Sequence, residues 1–108
     1  MLQTTKKNEV ATIKLVSGEE IIGYFISKDA NVTTLRKPVV PVPTGNGSMG
    51  LAPFIMSSDY LHDGDGEVEF NNATVISQVV TGKQFKDAYT KQVSGLDLST
   101  PPRPSLIT

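Results

Sequence analysis

Ile13-Lys14-Leu15-Val16-Ser17-Gly18-Glu19-Glu20-Ile21-Ile22-Gly23-Tyr24-Phe25-Ile26 reads as a strand, a two-residue reversal at Ser17-Gly18, and a longer strand broken by one glycine. Ile13 and Leu15 fall on one face and Lys14 on the other, the period-2 alternation of a half-buried strand. Ser-Gly supplies the positive φ that a tight reversal requires. Gly23 interrupts a β-branched and aromatic run. That is costly unless the strand bends there or another backbone comes close. A strand that bends at a glycine lets a small sheet curl.

Working outward, Val10 to Val16, Glu20 to Lys28 and Val32 to Val42 form three expected strands, rich in Val, Ile, Thr, Tyr and Phe. Asp29-Ala30-Asn31 is the turn between the second and third, since Asp and Asn bond their own backbone and tolerate left-handed geometry. Pro38, Pro41 and Pro43 cannot donate to a ladder, so the third strand should end frayed or at an edge. A loop at residues 44–50 follows, then a fourth strand from Leu51 to Ser57. An acidic, glycine-containing excursion runs from Asp59 to Asn72, within which Val68-Glu69-Phe70 can add a short strand. Thr74 to Val80 is the fifth strand.

The period changes after Val80. Phe85, Tyr89 and Val93 recur every fourth residue with Ala88 and Leu96 beside them, which predicts a helix over about 82–94 with one apolar stripe. Thr81 and Gln84 have the spacing of a capping box, and Gly95 stands where a C′ glycine would stop the helix. Residues 1–9 are expected to be a flexible tail, 10–96 one folded unit, and 97–108 a Pro-rich disordered tail. The fold class is therefore mainly β: a small, strongly bent, five-stranded antiparallel barrel with a C-terminal α-helix.

At 108 residues the chain fits one domain, a size that buries roughly 60–70% of its unfolded surface. It has no cysteine, which removes disulfides, thiolate metal sites and cysteine nucleophiles. No apolar run approaches the ~18 residues of a membrane span, and the N-terminus lacks the apolar stretch of a secretion signal. The net charge of −1 lacks the basic surplus usual in dedicated nucleic-acid binders.

Several motifs invite chemistry and then fail its requirements. Gly45-Asn46-Gly47-Ser48-Met49-Gly50 has the dinucleotide spacing, but a strand follows it where a helix must open, so it reads as a loop. Asp63-Gly64-Asp65-Gly66-Glu67 begins like a calcium loop. Val68 and Thr74 stand where that pattern needs Gly and Glu. His62 is the only histidine and has no cysteine to join it in a zinc site. No acid, base and nucleophile set is apparent, so no enzyme, cofactor, metal or small-molecule substrate is expected. Pro101-Pro102-Arg103-Pro104 has polyproline chemistry suited to an aromatic groove, although disorder is the plainer reading of such a tail.

The pattern Lys14-Leu15-x-x-Gly18-x-x-x-x-Gly23, followed by Asp29 and Asn31, resembles the first motif of the Sm-like (LSm) family, and is most similar to its phage-type members. The likeness covers residues 10–37 well and 50–80 loosely. It implies a ring-forming protein that binds single-stranded RNA or modulates RNA-handling proteins, in the cytoplasm of a bacterial or phage-infected cell. Lys28, Asp29 and Asn31 are the RNA-site residues it implies. The departures are specific. Asn31 follows Asp29 by two positions rather than four, Ala30 replaces the stacking aromatic, no Arg-Gly pair precedes the last strand, and the helix comes last. These departures favour an alternative, a structural or assembly ring with no nucleic acid. A head-to-tail ring of five to seven copies, the low end favoured, would join the fourth strand of one copy to the fifth of the next. Leu51, Phe54, Ile55, Met56, Val75, Ile76 and Val79 are the expected interface.

Overall fold

The computed structural model describes residues 5–62 and 64–98. Asp63 of the acidic excursion, residues 1–4 of the expected N-terminal tail and residues 99–108 of the expected Pro-rich tail lie outside the described residues. The elements run β1 (Val10–Leu15), β2 (Glu20–Lys28), β3 (Val32–Pro43), β4 (Met49–Pro53), β5 (Glu67–Asn71) and β6 (Val75–Val80). They end in α1 (Lys83–Leu98), and a 3-10 turn at Asn72–Thr74 precedes β6. Every pairing is antiparallel, in the order β4-β3-β2-β1-β6, with β5 also on β3.

The mainly β, antiparallel expectation with a C-terminal helix holds, with two corrections. There are six strands among the described residues rather than five, and the sheet is not closed. The extra strand arises because β4 and β5 occupy the same edge of β3 in succession. Met49–Pro53 lies against Pro43 to Val39, and Glu67–Asn71 against Arg36 to Val32. They amount to one strand interrupted by the excursion at 54–66. The apolar run Phe54-Ile55-Met56 therefore belongs to the excursion and not to the fourth strand, which stops at Pro53.

The interruption is matched by a kink in β3. Lys37 takes φ +51°, a conformation uncommon for a non-glycine residue. Its N–H donates to the Gly66 carbonyl at 2.8 Å, where the excursion rejoins the sheet. Beyond Val39, β3 no longer pairs with β2, so Pro41 and Pro43 sit where only one side of the strand is laddered. Gly23 lies across from this kink. A Cβ there would stand 3.2 Å from the Arg36 carbonyl oxygen, the Leu35 Cβ and the Pro38 Cα. Close approach is thus why the β2 run carries a glycine. The reversal between β1 and β2 forms with three residues rather than two: Val16-Ser17-Gly18 lies between Leu15 and Glu19, which share a hydrogen bond of 2.9 Å, and Gly18, at φ +97°, donates its N–H to the Leu15 carbonyl at 2.8 Å.

Two apolar clusters sit on the two faces of the sheet. Ile13, Leu15, Ile21, Leu35 and Phe70 form one, with Phe25, Val40, Phe54 and Val75 against it. Phe70 and Val75 come from opposite edges of the sheet yet join this cluster, so the sheet curls over that face. Val10, Ile22, Val39, Tyr60, Leu61, Tyr89 and Val93 form the other, which seats α1.

The helix differs from expectation at both ends. It begins at Lys83, and the Gly82 carbonyl accepts the first helical bond from Lys86 N–H at 2.8 Å, which makes Gly82 the N-cap. The Thr81 hydroxyl pairs instead with that of Thr12 at 2.8 Å. The expected capping box therefore gives way to a bond across the sheet. At the other end α1 continues through Gly95 to Leu98. Tyr89 and Val93 are buried and Phe85 half-buried, but Ala88 is exposed, so the stripe is narrower than the spacing suggests.

Candidate functional site

The β2–β3 turn gathers Lys28, Asp29 and Asn31 into one exposed reversal. Asp29 Oδ1 accepts from the N–H groups of Asn31 and Val32 at 2.7 and 2.8 Å, and Asp29 N–H donates to the Val32 carbonyl at 2.9 Å. These backbone donors, Val32 first and then Asn31, hold the Asp29 carboxyl below its ordinary range. Its charge is therefore engaged by its own turn. The side chains of Lys28 and Asn31 are exposed.

One residue that organises this turn was not among those expected from sequence. Asn72, in the 3-10 turn, donates from Nδ2 to the Asp29 carbonyl at 2.8 Å and from its N–H to the Asn31 carbonyl at 2.8 Å. Its Oδ1 accepts from the buried Thr33 hydroxyl at 2.6 Å. The available signal was the Asn71-Asn72 pair between two strands, a composition typical of side-chain-closed turns. Asn71 caps the 3-10 turn by accepting from Ala73 N–H at 2.9 Å.

The seven expected interface residues divide by burial. Leu51 packs against the helix-side cluster, while Phe54 and Val75 pack against the other; Phe54 also lies 5.2 Å from the Phe70 ring. Ile55, Met56, Ile76 and Val79 are exposed. Within one chain β4 and β6 are opposite edges of the sheet, so the two halves of the expected interface do not meet. Their chemistry differs from that of β5. Neither Met49–Pro53 nor Val75–Val80 contains a charged residue, whereas β5 presents exposed Glu67 and Glu69. Charges on an edge strand discourage pairing with another chain.

Other polar groups serve the fold. The Tyr89 hydroxyl donates to the carbonyls of Arg36 and Lys37 at 3.0 and 2.8 Å, and the Tyr60 hydroxyl donates to that of Pro38 while accepting from Phe54 N–H at 2.7 Å. The carbonyls around the kink are thereby satisfied from the helix and from the excursion. Burial pushes both phenols up, so they remain donors. The glycine loop at 44–50 turns the β3–β4 hairpin, with Gly45 and Gly47 at positive φ, and opens no helix. His62 is exposed. Among the described residues no group of three or more His, Cys, Asp and Glu is placed to hold a metal ion, and no helix is long and apolar enough to cross a membrane.

Compared with known proteins, the chain matches no family model and no curated sequence.

Proposed function

We propose that this chain is a ring-forming Sm-like protein whose basic activity is head-to-tail self-assembly through β4 and β6. The observation that carries this reading is a pair of uncharged edges on opposite sides of one curled sheet. Exposed apolar side chains stand on both: Met49 at 53%, Ile76 at 62% and Val79 at 50% of full exposure. Such edges template pairing with another chain. Because the two edges differ, the contact is heterologous, and it either closes into a ring or propagates. The curl of the sheet and its five strands, when β4 and β5 are counted as one interrupted strand, agree with the Sm-like resemblance and favour closure. Ile76→Lys combined with Val79→Lys should yield monomers in native mass spectrometry. An unchanged oligomer in that variant contradicts β6 as the assembling edge.

RNA binding at the β2–β3 turn is a second reading, supported by exposed Lys28 and Asn31 on a turn braced by Asn72. Asp29 is engaged internally, and Ala30 offers no base-stacking surface, which is worth ~1–3 kcal/mol per base. Fluorescence anisotropy with oligo-U and oligo-A at two salt concentrations tests it. Salt-sensitive binding at micromolar affinity or tighter, weakened by Asn31→Ala with the oligomer intact, supports the reading. No binding leaves an assembly module without nucleic acid.

A further inference from the structure

The glycine loop at the tip of the β3–β4 hairpin holds the chain's only Asn-Gly pair, Asn46-Gly47. The loop is exposed, and the Thr44 N–H closes it on the Ser48 carbonyl at 3.0 Å. The Thr44 hydroxyl is shared between that carbonyl at 3.1 Å and Asn46 Oδ1 at 3.4 Å. Neither Asn46 Nδ2 nor the Gly47 N–H has a hydrogen-bond partner among the described residues. Gly47 stands at φ +85° with open space where a Cβ would be. The other four asparagines differ in one respect: the N–H that follows each is already donated. Glu9 N–H goes to the Lys6 carbonyl at 2.9 Å and Asn72 N–H to the Asn31 carbonyl at 2.8 Å. Val32 N–H goes to Asp29 Oδ1 at 2.8 Å, and Ala73 N–H to Asn71 Oδ1 at 2.9 Å.

We propose that Asn46 is a site of spontaneous deamidation, with the Gly47 main-chain nitrogen as the nucleophile. A nucleophile next to its electrophile and free of competing bonds meets the condition for intramolecular attack. Glycine, lacking a Cβ, lets the main chain swing toward the side-chain amide. Hydroxide takes the Gly47 N–H proton, and the nitrogen adds to Asn46 Cγ. The Cγ–Nδ2 bond then breaks, and Nδ2 leaves as ammonia after taking a proton from water. Water opens the resulting cyclic imide in one of two ways. Attack at Cγ restores the main chain and leaves aspartate. Attack at the Asn46 main-chain carbonyl carbon leaves isoaspartate, with the chain running through Cβ. In sum, an amide and a water become a carboxylate and ammonium, with no oxidant or reductant. The hairpin tip gains a negative charge. The site lies outside β4, so the chemistry proceeds within one chain whether or not copies pair.

Site-resolved mass spectrometry on the full-length protein, held in mildly alkaline buffer, tests the proposal. Position 46 should gain the mass of an amide-to-acid exchange, in both aspartyl and isoaspartyl forms. It should do so at least ~tenfold faster than the other four asparagines, since lost near-attack geometry costs up to ~100-fold. The rate should rise with pH, because hydroxide begins the reaction. Asn46→Gln, whose longer side chain closes a less favourable ring, should remain an amide over the same interval and lose the more acidic band in isoelectric focusing. Urea frees the four engaged N–H groups and should narrow the ratio between sites. Equal rates at all five asparagines, a product with no isoaspartyl form, or a ratio unchanged by urea would overturn the proposal.

Discussion

Three atoms of the β3 kink crowd the position a Cβ on Gly23 would take, and two of them are backbone atoms that cannot swing aside. Gly23→Ala should therefore destabilise the fold by ~1–3 kcal/mol in denaturant titrations, the usual range for over-packing. A neutral substitution would mean that the kink relaxes freely. Asp29 carries a pH-dependent prediction. Its folded-state pKa is depressed below the ordinary 3.8, so its contribution to stability is present above that value and is lost as pH falls through the lower folded value. The difference in thermal midpoint between wild type and Asp29→Ala should be largest near neutrality and shrink under acid; a constant difference contradicts the hydrogen bonding described. Gly23 was legible in the sequence because glycine stands out in a β-branched run. Lys37 and Asn72 were not. Their conformations depend on Gly66 and Asp29, which are distant in the chain; the Asn71-Asn72 pair signals a turn but not the partner it braces, and Lys37 signals neither.

At the scale of elements, α1 is held by an aromatic contact and by hydrogen bonds from Tyr89 and from Gln92, whose Nε2 donates to the Leu51 carbonyl at 3.2 Å. Tyr89 meets Tyr24 edge-on at 5.1 Å, Arg36 lies 4.5 Å above the Tyr24 ring, and the Tyr89 hydroxyl serves the kink carbonyls. Tyr89→Phe keeps the ring but leaves those carbonyls without that donor, and should cost ~1–3 kcal/mol. Phe85 is half-buried rather than enclosed, so Phe85→Ala should cost roughly half of the ~3–5 kcal/mol of a fully buried phenylalanine. A loss within ~0.5 kcal/mol, the range of surface substitutions, would contradict packing of that side chain on the sheet. The switch from period 2 to period 4 after Val80 made the helix readable, because Phe85, Tyr89 and Val93 do face one cluster. Its ends were less readable. Thr81 has a tertiary partner in Thr12 that competes with capping, and Gly95 carries no signal that separates a helix stop from a helix interior. The end of β4 was misread for a related reason: Phe54 is apolar because it packs on Phe70 from the excursion, not because it continues a strand.

For the whole molecule, curl and edges together determine the expected behaviour. The sheet bends far enough for Phe70 and Val75 to share a cluster while β4 and β6 remain unpaired with each other. Sequence alone indicated the uncharged character of both edge strands, because it is compositional. It did not separate Leu51, Phe54 and Val75, which pack within the chain, from Ile76 and Val79, which do not, because that depends on where α1 seats and how far the sheet curls. The proposed assembly through these edges invokes no ligand, so it is expected in the purified protein. The direct measurement is multi-angle light scattering on wild type: a single species at five to seven times the 11.6 kDa chain mass is predicted, and a species at 11.6 kDa would contradict head-to-tail assembly.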